Sequence, residues 1–112
     1  MAVYVASMRA RYGRLIMCHM IATTDAELCA MAARIGVAPR WHQGDHFDIC
    51  MAKRALAVAA GAVEITLRQC GAMTARRRYT GETGNPETAE AWLRARIQQR
   101  RANADLGNEV RL

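Results

Sequence analysis

The stretch that most constrains this chain is residues 15–21, Leu-Ile-Met-Cys-His-Met-Ile. Read with the period of an extended strand, Leu15, Met17 and Ile21 fall on one face and Ile16, Cys18 and Met20 on the other. A strand that is apolar on both sides needs a layer over each face, so it belongs at the centre of a sheet covered by helices. His19 stands on the Met17–Ile21 face and is the one polar interruption.

The flanking sequence supplies those layers. Residues 2–6 form a β-rich first strand, followed by a loop with Arg9, Arg11 and Gly13. Val63, Ile65 and Leu67 alternate with Glu64 and Thr66 as a third strand. Thr24 and Glu27 make a capping box for a helix whose buried face is Leu28, Met31, Ala32 and Ile35. Gly36 ends it and Pro39 blocks its resumption. Asp48 is placed to cap a second helix to about residue 60, with Ile49, Ala52, Leu56 and Ala59 inward and Lys53 and Arg54 outward. A short helix with Leu67, Cys70 and Met73 leads into Arg76-Arg77-Arg78.

Residues 80–84 have turn composition, and Asn85-Pro86 opens a last helix with the stripe Ala89, Trp92, Leu93 and Ile97 and a Glu90–Arg94 pair. Beyond Ile97 the stripe ends and fraying is expected. The expectation is one small α/β domain, a three-stranded mixed sheet flanked by helices, over residues 1–78. A linker at 79–84 and a basic, amphipathic C-terminal helix with a frayed tail at 85–112 complete it.

With 112 residues, 52% of them hydrophobic, the chain suffices for a single core. No apolar run approaches the ~20 residues of a membrane span. The opening has no basic leader, so no membrane partner and a cytoplasmic location are expected. Cys18, Cys29, Cys50 and Cys70 are widely spaced and read as reduced, small packing residues. The net charge of +6 favours polyanionic partners.

Chemistry concentrates in residues 40–48. Arg40, His42, Gln43, Asp45, His46 and Asp48 offer imidazoles and carboxylates for a divalent metal or acid–base work, and cations for a phosphate. Trp41 and Phe47 either wall a pocket and stack on a ring or plug the loop onto the core. His46, His19 and Asp48 are the candidate catalytic residues, and Arg40, Trp41, Gln43 and Asp45 the candidate ligand contacts. His42, His46 and Cys50 match no standard zinc spacing. Ser7, the only serine, has no marked activating base. Arg76, Arg77, Arg78, Arg94 and Arg101 form either a solvated face or a contact for nucleic acid or protein.

Several segments together resemble the domain of unknown function 4031 family of bacterial and phage proteins. They are the opening Met1-Ala2-Val3-Tyr4-Val5, then Met17-Cys18-His19-Met20, then His46-Phe47-Asp48-Ile49-Cys50, and the Ala-rich stretch ending Gly61-Ala62-Val63. The likeness covers roughly residues 1–70. It implies an acidic pair directly after Tyr4-Val5, which beside His19 and the 46–48 segment would make a metal or acid–base constellation. This chain has Ala6 and Ser7 there.

Two functional readings follow. In one, a pocket at the end of strand one, His19 and the 40–48 loop binds or hydrolyses a phosphate-bearing, nucleotide-like molecule, with a divalent metal as the candidate cofactor. In the other, a non-catalytic phage-type accessory protein binds a host protein or nucleic acid through its Arg-rich helix, whose stripe equally suits a homodimer.

Overall fold

The computed structural model describes residues 2–110, with side chains as far as residue 107. The strands are β1 (Val3–Ala6), β2 (Ala10–Tyr12), β3 (Leu15–Ala22), β4 (Phe47–Cys50) and β5 (Val63–Ile65). The helices are α1 (Asp25–Ile35), α2 (Met51–Ala59), α3 (Leu67–Thr80) and α4 (Pro86–Val110), with a short 3-10 turn at Pro39–Trp41.

The expected central strand organises everything else. Met17 pairs with Ala10 on one side and Cys50 on the other, and Met20 with Val5 and Phe47. β1 and β2 therefore share one edge of β3, as a single broken strand, and β4 takes the opposite edge. β5 runs parallel to β1 beyond it. The sheet is mixed, as expected, but has five strands rather than three.

Both additional strands have a physical explanation. β2 is exposed throughout and carries no hydrophobic pattern; it forms because Gly13, at φ 58°, allows a two-residue turn into β3. β4 was read as the start of a helix capped by Asp48. Phe47 and Ile49 are instead buried on one face while Asp48 and Cys50 are half-buried on the other. The open edge of β3 claims these residues, and α2 begins only at Met51.

That shift re-aims α2. Leu56 is exposed and Ala57 is buried, while Lys53 and Arg54, expected outside, are half-buried. The Arg54 guanidinium donates to the Ala6 carbonyl at 3.3 Å and to Glu64 at 2.8 Å, satisfying the ends of the parallel pair β1–β5.

Two cores result, one on each face. Val5, Cys18, Met20, Phe47 and Ile49 pack against Leu28, Ala32, Ile35 and Ala57 of α1 and α2. Tyr4, Ala6, Ile21 and Ile65 pack against Cys70, Ala72 and Met73 of α3 and Ala89 of α4. Thr24 caps α1 through the Glu27 amide and Gly36 closes it, as the sequence requires.

α3 is longer than expected and starts with a Thr66–Gln69 capping box. Asn85 caps α4 through the Thr88 amide at 3.1 Å. The α3–α4 connection is anchored by buried Thr83. Fraying is expected beyond Ile97, but α4 continues helical to Val110; residues 111–112 lie outside the described residues. Among the described residues, no helix is long and apolar enough to cross a membrane.

Candidate functional site

The register of β3 and β4 places His19 directly opposite Asp48. Both side chains project from the sheet face that α3 covers beside β1, in a region that α3 leaves half open. His19 Nδ1 lies 2.6 Å from Asp48 Oδ1. Gln43 Nε2 donates to the other carboxylate oxygen at 2.9 Å. Asp48 thus serves as a strand residue at the centre of a polar cluster and not as a helix cap.

His46 joins from the preceding turn. His42 and Phe47 make an isolated antiparallel bridge, and the Gln43 amide donates to the His46 carbonyl at 2.9 Å. Gly44, at φ 81°, takes the left-handed conformation that closes this turn. The turn brings His46 Nε2 to 3.6 Å from Asp48 Oδ1, and its ring stands edge-on to that of His19 with centroids 4.8 Å apart. Ligand atoms of His19, His46 and Asp48 all lie within 4.8 Å of one another, and they form the converging group of this kind among the described residues.

The outer side of His46 is also fixed. Its Nδ1 lies 2.8 Å from Asp45 Oδ1, and Arg78 of α3 donates to Asp45 Oδ2 at 3.2 Å. Burial alone would raise the Asp45 carboxyl, but the His46 hydrogen bond and the Arg78 charge outweigh it and hold the group below its ordinary value. A charged carboxylate on Nδ1 sets the ring so that Nε2 faces His19 and Asp48, the arrangement of a metal-ligating histidine with its supporting acid.

A cleft of about 760 Å³ opens beside the cluster. His19, Gln43 and Asp48 line it together with Tyr12 and Leu15 of the β2–β3 hairpin and Trp41 of the 3-10 turn, while His46 stands outside the lining. Arg11, Arg40 and Lys53 add positive charge to the lining, against the single carboxylate of Asp48. Lys53 Nζ sits 3.1 Å from where a side chain on Gly36 would begin, so the glycine leaves room for the ammonium at the α1 C-terminus.

The sequence-derived candidates sort as follows. His19, His46, Asp48, Gln43 and Asp45 come together in one hydrogen-bonded cluster, and Arg40 and Trp41 line the cleft next to it. His42 does not join them: its ring packs on Phe47 at 5.1 Å, and its buried Nε2 has no protein partner. The arginine triplet is divided among internal contacts. Arg76 lies over Trp92, Arg77 pairs with Asp25 at 2.7 Å, and Arg78 belongs to the site. Arg94 and Arg101 are exposed on α4.

Sequence reasoning missed Tyr12, Arg11 and Lys53 as cleft residues and Arg78 as a site residue. The Gly13-Arg14 turn signal was available for the first two, whereas the reach of α3 to Asp45 had no local signature.

Ala6 is the residue after Val5, which pairs with Met20, so it lies beside His19 on the same face, fully buried. Ser7 is exposed, its amide bound to the Ile65 carbonyl at 2.9 Å. The place where the resemblance implies an acid is thus next to the cluster.

A family model described as "Protein of unknown function (DUF4031)" matches residues 3–77. The chain belongs to the DUF4031 family. The matched span runs from β1 into the last turn of α3 and contains His19, Asp45, His46 and Asp48. Arg78 and α4 lie outside the DUF4031 match. No curated protein and no solved structure matches the chain.

Proposed function

We propose that this DUF4031 protein uses His19, His46 and Asp48 to hold one divalent transition metal, and that the metal and the cationic cleft together bind and hydrolyse a phosphate ester. The observation that carries the reading is the convergence of the three ligand atoms within 4.8 Å, beside a cleft that His19 and Asp48 line. Two imidazoles and one carboxylate suit zinc, manganese, iron or cobalt. Three protein ligands leave a coordination position open, as catalytic sites do and closed structural sites do not.

His19 and Asp48 line the cleft, so they would hold the metal at its wall. A metal held there would polarise a phosphoryl oxygen and supply a bound water of lowered pKa. In hydrolysis the water oxygen bonds to phosphorus and the ester oxygen leaves with a proton. Arg40, Arg11 and Lys53 supply the charge that offsets the phosphate.

The test is calorimetric titration of chelator-stripped protein with Zn²⁺ and with Mn²⁺, followed by an assay with bis(p-nitrophenyl) phosphate. One metal per chain, abolished in His46→Ala, with chelator-sensitive hydrolysis is the expected result. Protein that takes up neither metal overturns the reading.

The alternative reading places nucleic-acid or protein binding on α4, where Arg94, Arg96, Arg100 and Arg101 are exposed. Deleting the tail would uncover Ala89 and the core it seals, so charge reversal of Arg94 and Arg101 is the cleaner discriminator. It would remove an α4 interaction and leave metal uptake unchanged.

A further inference from the structure

The cleft carries more aromatic surface than phosphate binding needs. The chain has six aromatic side chains of Phe, Tyr and Trp type. Tyr4 and Phe47 are buried in the two cores, and Tyr79 and Trp92 pack against one another at a 49° tilt with centroids 6.1 Å apart. The remaining two, Tyr12 and Trp41, are 72% and 54% exposed, and both line the cleft. Each comes from a short local element: Tyr12 precedes the two-residue hairpin turn, and Trp41 ends the 3-10 turn, its backbone N–H donating to the Ala38 carbonyl at 3.1 Å. Arg40 lies over the Trp41 ring at 5.3 Å. A large exposed ring beside a guanidinium is a surface on which a planar heterocycle stacks.

We infer that the ligand is a mononucleotide unit, its phosphate at the His19–Asp48 end and its base stacked on Trp41, with Tyr12 as the second aromatic surface. This rests on the phosphate-ester reading above and names its substrate class. The charge agrees: the cleft lining has three cationic side chains and one carboxylate, which suits an anion of one or two charges. The volume, about 760 Å³, lies within the range of small-molecule sites. The one side-chain amide of the lining, Gln43, is already committed to Asp48. Recognition of the base therefore comes from its π-face, which every base possesses.

The unit can be a free nucleotide or the terminal residue of a single strand; the chemistry at the ring and the phosphate is the same. Binding is measured by calorimetry in chelator, so that it is independent of metal uptake, using adenosine monophosphate, inorganic phosphate and a short 5′-phosphorylated oligodeoxynucleotide. The expected result is that adenosine monophosphate binds at least about tenfold tighter than phosphate, and that Trp41→Ala removes that advantage. Tyr12→Ser is expected to weaken it by a smaller factor. A Trp41→Ala protein with unchanged circular dichroism and unchanged Zn²⁺ stoichiometry excludes misfolding as the cause. An oligonucleotide bound tighter than the mononucleotide assigns the site to strand ends, and the reverse order assigns it to free nucleotides. Equal affinity for adenosine monophosphate and phosphate, or an advantage that survives in Trp41→Ala, overturns the inference. Either of those results with intact Zn²⁺ uptake leaves the metal site standing, whereas absent uptake with intact nucleotide stacking removes only the metal.

Discussion

Replacing Asp45 by alanine separates the support of the site from the stability of the fold. Asp45 touches His46 Nδ1 at 2.8 Å and Arg78 at 3.2 Å. Loss of the first contact frees the imidazole to rotate and to place its proton on either nitrogen. Supporting acids of this kind change metal affinity by about 10- to 100-fold, or roughly 1.4–2.7 kcal/mol. The second contact contributes little to folding, because Arg78 is 69% exposed and solvent screens it; about 0–1 kcal/mol is at stake. Asp45→Ala should therefore weaken Zn²⁺ binding by one to two orders of magnitude, roughly, while thermal stability of the metal-free protein changes little. Asp45→Asn keeps an acceptor for Nδ1 and should fall between wild type and alanine. Competition calorimetry against a chelator of known affinity gives the first quantity and thermal melts the second. Unchanged Zn²⁺ affinity in Asp45→Ala refutes the orienting role. A loss as complete as that of His46→Ala refutes it too, by making Asp45 a ligand.

Phe47→Ala should destabilise by about 3–5 kcal/mol in chemical denaturation, since the ring is fully buried and carries β4 onto β3; a cost near 1 kcal/mol would mean the strand is held elsewhere. Ala6→Asp puts a carboxylate in the core beside His19; metal-free protein should lose about 2–4 kcal/mol, and excess Zn²⁺ should restore part of it, whereas loss without restoration argues against a metal adjacent to Ala6. Burial pushes the Cys70 thiol up to about 11 from an ordinary 9.0, so its contribution is present below pH 9.0 and lost as pH rises toward 11. Cys70→Ala should accordingly show a shallower fall in stability over that window than wild type, and identical slopes would contradict the assignment. Alkylation of folded protein should label exposed Cys29 first and leave buried Cys18 and Cys70 unmodified, which peptide mass mapping reads directly.

What the sequence disclosed depended on whether a residue's partner was near in the chain. The Thr24 cap and the Asn85-Pro86 start rest on local spacing, and each stands as read. The two-faced strand around Cys18 is central as expected, but it is covered on both faces only in its second half, since Leu15 is exposed and Ile16, Met17 and His19 are half-buried. β4 is not legible locally, because Asp48 before an Ala-rich run satisfies the rule for a helix cap, while the competing alternation of Phe47 and Ile49 spans only four residues. What decides between the two is the vacant edge of β3, 29 positions earlier in the chain where His19 stands opposite Asp48, and no local pattern reports it. The inversion of α2 follows from the same ambiguity, since a helix begun at Asp48 carries a different stripe from one begun at Met51.

The arginine triplet makes the converse point about composition. Arg76-Arg77-Arg78 reads as one basic patch because sequence sums charge without direction. On α3, successive residues point about 100° apart, so three adjacent side chains reach three different neighbours. Arg76 meets Trp92 of α4, Arg77 meets Asp25 at the start of α1, and Arg78 meets Asp45 in the site turn. Arg78 thereby ties the last turn of α3 to the residue that orients His46. Charge reversal of Arg78 acts on that tie, whereas reversal of Arg94 acts only on the exposed face of α4. Comparing the two for Zn²⁺ affinity tells a structural triplet from a docking patch: Arg78→Glu should weaken metal binding and Arg94→Glu should not.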